Sequence, residues 1–267
     1  QLQQQSIEVV KVIIKYGGGV RGGKAIMNLI GIECGQCRLP ITPFSDEEYI
    51  NNNFIVLGTK RGTVKKTSLE AYSRPRANGV NAITIREGDE LLEAILTDGN
   101  CQILIAGRDG KCVRFNESDA RPIGRTGSGV RGINIEEGDE VVGMICVDPS
   151  IEAKDARTIL VVSENGYGKK SELEDYRITN RGGKGVKTLN ITEKTGNLIA
   201  LKDVDEDNDL MIINKSGITI RMAVSDIRVA GRATQGVRLI NIREGDSIAA
   251  VCVVNKSEEK PIDIPEE

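Results

Sequence analysis

The chain contains no histidine and no tryptophan, and aromatic residues make up only 3% of its 267 residues. Without histidine it lacks the commonest general base and the commonest metal ligand. No apolar run approaches the roughly 20 residues that a membrane-spanning helix requires, and no signal peptide opens the sequence. We therefore expect a cytoplasmic protein with an aliphatic core and no catalytic residues of its own.

Cysteine is too sparse and too irregularly spaced for a disulfide framework, with six residues in the whole chain. Cys34 and Cys37 have the spacing of a metal or redox pair, but a zinc site needs two further ligands, and no histidine is present to supply them. The other four cysteines lie in apolar, strand-like segments, where a buried and inert thiol is usual. The sequence predicts no metal site and leaves the role of Cys34 and Cys37 open.

What the chain does contain is a unit that repeats. Residues 102–144 predict four short β-strands, with a hairpin signal at Asp109-Gly110 and a Glu-Gly-Asp turn before the last strand. Two glycine landmarks return in each copy, spaced 48, 56 and 51 residues apart for the first and 50, 56 and 51 for the second. The landmarks are the first turn glycine at Gly62, Gly110, Gly166 and Gly217, and the glycine of a Gly-Val pair at Gly79, Gly129, Gly185 and Gly236.

Thirty glycines, abundant Val and Ile and the lack of a long helical pattern indicate an all-β protein. Repeats of roughly 50 residues with four strands each are typical of propeller blades, which pack radially around a common centre. We predict a single domain over residues 1–256 with about five four-stranded blades, followed by a flexible acidic tail over residues 257–267. The predicted blades cover residues 1–53, which form a degenerate copy, and residues 54–100, 101–157, 158–208 and 209–256.

Basic charge is segregated within the repeats, although the net charge is only −3. Four windows, residues 60–76, 108–131, 164–187 and 215–238, together carry +14, so the rest of the chain carries −17. In a radial array these windows face the same way and form a continuous basic rim, which suits a phosphate backbone without reading bases. The alternative is that these cations only prevent edge-to-edge pairing of strands.

Glycine and basic residues recur together in several short motifs of the repeats. They are Gly-Thr-Val-Lys-Lys-Thr at 62–67, Gly-Lys-Cys-Val-Arg-Phe at 110–115, Thr-Gly-Ser-Gly-Val-Arg-Gly-Ile at 126–133, Asn-Gly-Tyr-Gly-Lys-Lys at 165–170 and Gly-Arg-Ala-Thr-Gln-Gly-Val at 231–237. With these motifs the stretch between residues 54 and 254 resembles the C-terminal domain of the DNA gyrase A protein, and it is also similar to the paralogous A protein of topoisomerase IV. A loop at residues 181–185, Arg-Gly-Gly-Lys-Gly, matches the last five positions of that family's Gln-Arg-Arg-Gly-Gly-Lys-Gly signature, and Arg21 to Lys24 match it in part.

The resemblance implies a β-pinwheel, a propeller-like disc whose blades exchange strands and whose basic outer rim bends and wraps duplex DNA without sequence specificity. It implies that the chain is part of a bacterial, nucleoid-associated type II topoisomerase that introduces negative supercoils. The implied partners are duplex DNA, the remaining domains of the A protein and the ATPase B protein. The implied holoenzyme contains two A proteins and two B proteins. ATP and Mg²⁺ would be used elsewhere in that enzyme, so no cofactor is expected here.

Two alternative functions remain open from the sequence. A topoisomerase IV domain would act in DNA substrate selection and decatenation, and a propeller scaffold would bind protein partners instead of DNA. On the DNA hypothesis each candidate contacts phosphate, so single substitutions weaken binding modestly and irrespective of sequence. The candidates are Lys60, Arg61, Lys65, Lys66, Arg108, Lys111, Arg114, Lys169, Lys170, Arg181, Gly182, Gly183, Lys184, Gly185, Lys215, Arg221 and Arg232.

Overall fold

The computed structural model describes residues 46–73, 79–149, 157–243 and 245–255. The predicted degenerate blade lies outside these residues except for its last few positions, and the Cys34 and Cys37 pair and the predicted tail lie wholly outside them. Within the described ranges the chain forms a short helix, α1 (Asp46–Asn52), and a series of β-strands. The strands are β1 (Phe54–Thr59), β2 (Thr63–Ser68), β3 (Leu91–Thr97), β4 (Gln102–Gly107), β5 (Lys111–Asn116), β6 (Val130–Arg131), β7 (Val141–Val147), β8 (Thr158–Ser163), β9 (Tyr167–Ser171), β10 (Val186–Lys187), β11 (Leu198–Val204), β12 (Asn208–Asn214), β13 (Thr219–Ala223), β14 (Val237–Arg238) and β15 (Ile248–Asn255).

The strands form four antiparallel sheets, each built on one of the predicted hairpins. Sheet 1 has the order β3-β1-β2-β6, sheet 2 the order β7-β4-β5-β10, sheet 3 the order β11-β8-β9-β14 and sheet 4 the order β15-β12-β13. A 3-10 turn follows the second strand of each hairpin, at Leu69–Tyr72, Glu117–Asp119, Leu173–Asp175 and Val224–Asp226. The all-β class is confirmed, and the described residues contain four of the five predicted blades.

Repeats 2, 3 and 4 each give a short third strand to the sheet of the repeat before it. Repeat 1 contains β1–β3, repeat 2 contains β4–β7, repeat 3 contains β8–β11 and repeat 4 contains β12–β15. β6 pairs with β2, β10 with β5 and β14 with β9. The strand exchange that the resemblance implied is therefore present, and the third strand is only two residues long. Sheet 4 has three strands because no later repeat is present among the described residues.

The first turn glycines are explained by these junctions between repeats. Gly62, Gly110 and Gly166 have φ values of 79°, 79° and 83°, which favour glycine. A Cβ on any of them would lie 2.7–2.9 Å from a backbone carbonyl oxygen of the following repeat. The Gly166 carbonyl in turn accepts a hydrogen bond from Leu239 N at 2.8 Å. Glycine therefore serves both the turn and the close approach of the next repeat.

Three aliphatic cores lie between successive sheets and are formed mainly by Val, Ile and Leu, as the composition predicted. At the inner edges of the sheets β7 packs against β3 and β11, and β15 packs against β11. A cavity of about 260 Å³ near these strands is lined by residues of all four repeats. The sheets therefore surround a common centre, and β6, β10 and β14 lie at the outer edge. None of the helices in the described ranges is long and apolar enough to cross a membrane.

Candidate nucleic-acid interface

The outer edge of the array carries three loops rich in cations. Residues 121–134, 177–190 and 228–241, called the basic loops below, contain β6, β10 and β14 respectively. They hold ten Lys and Arg residues and no acidic residue, whereas the whole chain has a net charge of −3. The remaining residues thus carry −13. Because the third strands form the outer edges of their sheets, this positive charge is concentrated along one perimeter.

Backbone hydrogen bonds join each basic loop to the next. Asn134 N donates to Gly183 O at 2.9 Å, and Asn190 N donates to Thr234 O at 3.1 Å. The corresponding bond at the start of the array runs from Thr84 N to Gly127 O at 3.3 Å. The repeated bond makes the basic loops a continuous strip instead of three separate surface features.

One arginine in each of the last two basic loops helps to hold this strip together. Arg181 donates from Nη1 to Arg131 O at 3.0 Å and from Nε to Asp119 O at 2.9 Å. Arg232 donates from Nη1 to Lys187 O at 2.7 Å. Both arginines are half-buried, so they retain donors for a ligand while they fix the spacing between neighbouring loops.

Seven cations of the basic loops are exposed, and the sequence prediction included only one of them, Lys184. A signal for three others was present, because a basic residue directly follows each Gly-Val pair in repeats 2 to 4. Aligning the loops on that pair would have found Arg131, Lys187 and Arg238. The complete exposed set is Arg121, Arg131, Arg177, Lys184, Lys187, Arg228 and Arg238.

Four lysines that were predicted to contact DNA lie in the interior of the array. The exposed fractions of Lys65, Lys66, Lys169 and Lys170 are 0%, 5%, 0% and 1%. They lie on β2 and β9, which are central strands with packed residues on both faces. In this arrangement their ammonium groups bind protein oxygen atoms and are withdrawn from the surface.

Lys65 and Lys169 occupy equivalent positions, three residues after the turn glycine, and each holds the basic loop of the next repeat. Lys65 Nζ donates to Ala82 O at 2.6 Å and to the carbonyl of Arg125. Lys169 Nζ donates to Gly231 O at 2.6 Å. Burial lowers the pKa of Lys169 to about 8, opposed by the nearby Asp175 and reinforced by Arg232. Burial also lowers the pKa of Lys65.

The cation four residues after the turn glycine binds the following repeat in two further cases. Lys66 Nζ lies 2.9 Å from Glu117 Oε1, and both side chains are buried. Arg114 donates from Nη1 to Leu173 O at 2.6 Å and to Tyr176 O at 2.8 Å. Since Glu117 and Leu173 each begin a 3-10 turn, these cations attach the next repeat's turn to the hairpin.

The same position in repeats 3 and 4 makes different contacts. Lys170 Nζ lies 2.6 Å from Glu206 Oε1, so this buried cation is also paired. Arg221 forms an ion pair with Asp209 at 2.7 Å, but its side chain is 46% exposed because β13 is an edge strand. Arg221 is the one member of this set that remains at the surface.

Three other candidate residues lie around the central cavity, away from the basic loops. Lys60, Arg108 and Lys215 follow the first strand of repeats 1, 2 and 4 and line this cavity. Lys60 pairs with Glu90 at 2.7 Å, and the hydrogen bond raises the pKa of Lys60. Arg108 pairs with Glu164 at 3.3 Å. The structure therefore separates these cations from the strip formed by the loops.

Two hairpin-turn candidates differ in how fully they are paired. Lys111 lies 2.5 Å from Asp109 Oδ2 and 3.7 Å from Glu136 Oε1, and the hydrogen bond with Asp109 raises its pKa. Arg61 donates from Nε to Gly88 O at 3.1 Å and keeps its terminal nitrogens available. The remaining candidates, Gly182, Gly183 and Gly185, belong to the second basic loop.

A cluster of Asp98, Cys101 and Glu117 is the one place in the described residues where three potential metal-ligand atoms lie within 4.8 Å of one another. Glu117 Oε1 accepts hydrogen bonds from Thr97 Oγ1 and Lys66 Nζ, and its Oε2 accepts one from Cys101 N. Both oxygens are thus engaged, and the lysine ammonium occupies the position of a cation. We interpret this cluster as the anchor of a 3-10 turn.

A family model and the most similar curated proteins point to the same family. The model for "DNA gyrase C-terminal domain, beta-propeller" matches residues 53–98, 102–148, 157–205 and 208–255. The DNA gyrase A proteins of Staphylococcus epidermidis and Staphylococcus aureus are each 42% identical to the chain over 237 residues. The match covers 89% of this chain and 26% of each relative, so the chain spans about a quarter of their length.

Solved structures with a similar fold include the C-terminal domains of two topoisomerases. The crystal structure of the C-terminal domain of DNA topoisomerase IV matches with a TM-score of 0.70 and 25% identity, covering 76% of this chain and 62% of that one. The DNA gyrase A C-terminal domain matches with a TM-score of 0.66 and 22% identity, covering 76% of this chain and 66% of that one. The latter likeness concerns the fold alone.

Proposed function

Because the chain belongs to the DNA gyrase C-terminal domain family of β-propellers, we propose that it binds duplex DNA along the basic loops and bends it around the outer edge of the array. The observation that carries the proposal is the strip of loops with ten cations and no acidic residue, joined by a repeated backbone hydrogen bond. Exposed Arg and Lys side chains in equivalent positions provide phosphate contacts at regular intervals without reading bases.

The energetics require the repeats to act together. Smooth bending of a 20–30 base-pair segment by 40–90° costs on the order of 1–6 kcal/mol. A single exposed cation contributes too little to hold such a bend, but counterion release adds over every phosphate that is neutralised. The buried lysines have an indirect role in this proposal, because Lys65 and Lys169 hold the basic loops that present the exposed cations.

We further propose that the chain acts as part of the A protein of a bacterial type II topoisomerase, together with an ATPase B protein, and supports negative supercoiling by wrapping DNA. ATP and Mg²⁺ would be used by other parts of that enzyme. The 42% identity to gyrase A proteins over 89% of the chain favours gyrase over topoisomerase IV. A bacterial cytoplasmic location in association with the nucleoid follows from this function.

The test is duplex binding by fluorescence anisotropy at several salt concentrations. We expect the logarithm of the binding constant to fall linearly with the logarithm of the salt concentration, with a slope of about −0.9 for each phosphate neutralised. A triple variant of the basic loops, R131Q/K187Q/R238Q, should weaken binding and reduce the slope by up to about 0.9 for each cation removed. The matched control is K60Q/R108Q/K215Q, which removes the same charge around the central cavity and should have much less effect. Equal losses in both variants would contradict an outer DNA path.

Wrapping is tested separately by ligating a nicked circular plasmid in the presence of the chain. We expect a change in linking number with the unmodified chain and none with the basic-loop variant. Salt-sensitive binding without a linking change would support a bending surface without chiral wrapping. Absence of salt-sensitive binding would remove the DNA proposal and favour the alternative of a scaffold for protein partners.

A further inference from the structure

A cavity at the junction between repeats 1 and 2 has an arrangement that the DNA strip does not require. It has a volume of about 430 Å³, and its wall includes three arginines, Arg61, Arg86 and Arg131. Guanidinium groups present planar, paired donors that match phosphate oxygens. We propose that this cavity binds a phosphate group.

Arg61 is held in place before any ligand arrives. Its Nε donates to Gly88 O at 3.1 Å, and its backbone N donates to Asp89 Oδ1 at 2.8 Å. These bonds fix the direction of the side chain and leave the two terminal nitrogens as donors. A fixed side chain loses less conformational entropy when it binds, which favours affinity.

Arg131 is positioned by the Arg-Gly-Gly-Lys-Gly segment of repeat 3. Its carbonyl accepts a hydrogen bond from Arg181 Nη1 at 3.0 Å, and Gly182 N donates to the neighbouring Gly132 O at 2.6 Å. The stem of Arg131 lies beside Gly182, where a Cβ would be 3.7 Å from its Cγ and Cδ atoms. The glycine-rich segment of repeat 3 therefore packs against the stem of this arginine and holds its backbone.

The side chains of Arg86 and Arg131 make no ion pair or hydrogen bond with any residue that the structure describes. Two carboxylates, Asp89 and Glu87, also line the cavity. Asp89 Oδ1 already accepts the backbone amides of Arg61 and Glu90, so it is engaged in the turn. With three guanidinium groups against two carboxylates, the wall keeps a net positive charge.

The equivalent positions at the other two junctions are already occupied by protein groups. At the second junction Asp109 and Glu136 stand in the positions of Arg61 and Arg86, and both are paired with Lys111. At the third junction Arg238 lies 5.4 Å from the centre of the Tyr167 ring and donates from Nη2 to its hydroxyl at 2.8 Å. Within the described junctions, the first alone has an arginine at all three of these positions.

The phosphate has two chemical sources, a free phosphorylated small molecule or the backbone of bound DNA, and the second source rests on the proposed function. Two probes separate them: inorganic pyrophosphate, measured by calorimetry, and a duplex, measured by anisotropy. The test variant is R61Q/R86Q, because neither residue belongs to the basic loops. The control is R108Q/K215Q, which removes the same charge near the central cavity. Thermal unfolding of both variants verifies that they remain folded.

Pyrophosphate binding that falls about tenfold or more in R61Q/R86Q, and less than about twofold in the control, supports a site for a free phosphorylated ligand. If pyrophosphate does not bind, a loss of duplex affinity of about tenfold with a salt slope reduced by about 1 to 2, absent from the control, assigns the cavity to a backbone phosphate. If R61Q/R86Q matches the control with both probes, the cavity proposal is wrong while the DNA proposal stands. If the unmodified chain shows no salt-dependent binding to the duplex, the DNA proposal is wrong, whatever the pyrophosphate result.

Discussion

The hairpins of repeats 3 and 4 have a similar sequence pattern but different surroundings. β9 has the exchanged strand β14 beside it, whereas β13 is the outer edge of a three-stranded sheet. All five residues of β9 are buried, while Thr219 and Arg221 of β13 are exposed and its other residues are half-buried. The comparison shows that the next repeat, more than the hairpin's own sequence, determines whether a hairpin residue lies inside or outside.

The two turn glycines of these hairpins show the same difference. Gly166 has φ 83°, and a Cβ there would lie 2.7 Å from Ile240 O. Gly217 has φ 86°, but nothing lies within 4 Å of the position of its Cβ. Turn geometry requires a glycine at both sites, whereas close packing requires it only where a following repeat is present.

The largest effect should come from breaking the buried ion pair between repeats 1 and 2. Lys66→Met leaves the Glu117 carboxylate buried without its cation, which costs about 3–5 kcal/mol of unfolding free energy. Arg221→Met removes the cation at the equivalent position, but water at the open edge can reach the partner carboxylate of Asp209, so this change should cost less, about 1–2 kcal/mol. Urea denaturation measures both changes.

The double variant K66M/E117Q is the control for this prediction. In Glu117→Gln the amide oxygen can accept from Cys101 N and the amide nitrogen can donate to the Thr97 hydroxyl without a buried charge, so the double variant should recover much of the loss. Equal losses of unfolding free energy in K66M and R221M would contradict the prediction. They would mean that burial between repeats 1 and 2 does not make the Lys66–Glu117 ion pair more important for stability than the Arg221–Asp209 pair.

The second prediction compares the two turn glycines directly. Gly217→Ala should cost about 1–2 kcal/mol, because an L-residue is disfavoured in the left-handed region. Gly166→Ala should cost about 1–3 kcal/mol more, because its Cβ overlaps Ile240. Chemical denaturation of the two variants gives the difference. A loss at Gly217 as large as that at Gly166 would remove the distinction between a closed junction and an open edge.

The smallest effect concerns the pH dependence of stability at the third junction. Folding lowers the pKa of Lys169 from 10.5 to about 8. Below pH 8 the lysine is therefore charged in both the folded and the unfolded chain, and the folded chain bears the full free-energy cost of burying the ammonium group. Between these values the unfolded chain binds more protons, so the contribution of Lys169 to stability rises with pH. The stability of the unmodified chain relative to K169M should rise by at most about 1.4 kcal/mol per pH unit there.

Measurements of unfolding free energy at pH 7, 8 and 9 test this prediction, with Arg221→Met as a reference at the open edge. The relative stability of R221M should stay flat over the same interval, because arginine does not titrate there. A flat profile for K169M as well would mean that the Lys169 ammonium is solvated.

The sequence predicted the hairpins well because their signals are local. β4 and β5 flank the hairpin predicted at Asp109-Gly110, and the turn glycines lie where the strands reverse. The exchange of the third strand could not be derived from the pattern alone, because a two-residue strand has no periodicity and its partner lies in another repeat. That feature came only from the resemblance to a known family.

The sequence predicted a cationic edge, but it did not identify most of the individual residues that the structure exposes there. Charge segregation indicated a basic rim, and the structure has cationic loops at the outer edge. Consecutive lysines such as Lys169 and Lys170 were expected at the rim because they lie within a basic window, but a strand between two packed sheets is buried on both faces. The alternative of edge protection fits Arg221, which lies on the one exposed second strand of a hairpin in the described repeats.

The strand exchange also gives the array a direction. At the hairpin turns the earlier repeat supplies the acceptors, Lys60 O and Gly62 O in repeat 1, and the later repeat supplies the amides of Val141 and Gly132, whereas in the repeated bond between the basic loops the earlier repeat supplies the amide. The two ends of such an array are therefore chemically different and cannot be interchanged. A whole repeat inserted between two others would meet the same groups on one side and offer the same groups on the other, so the length of the strip of basic loops can change by duplication without a new type of interface.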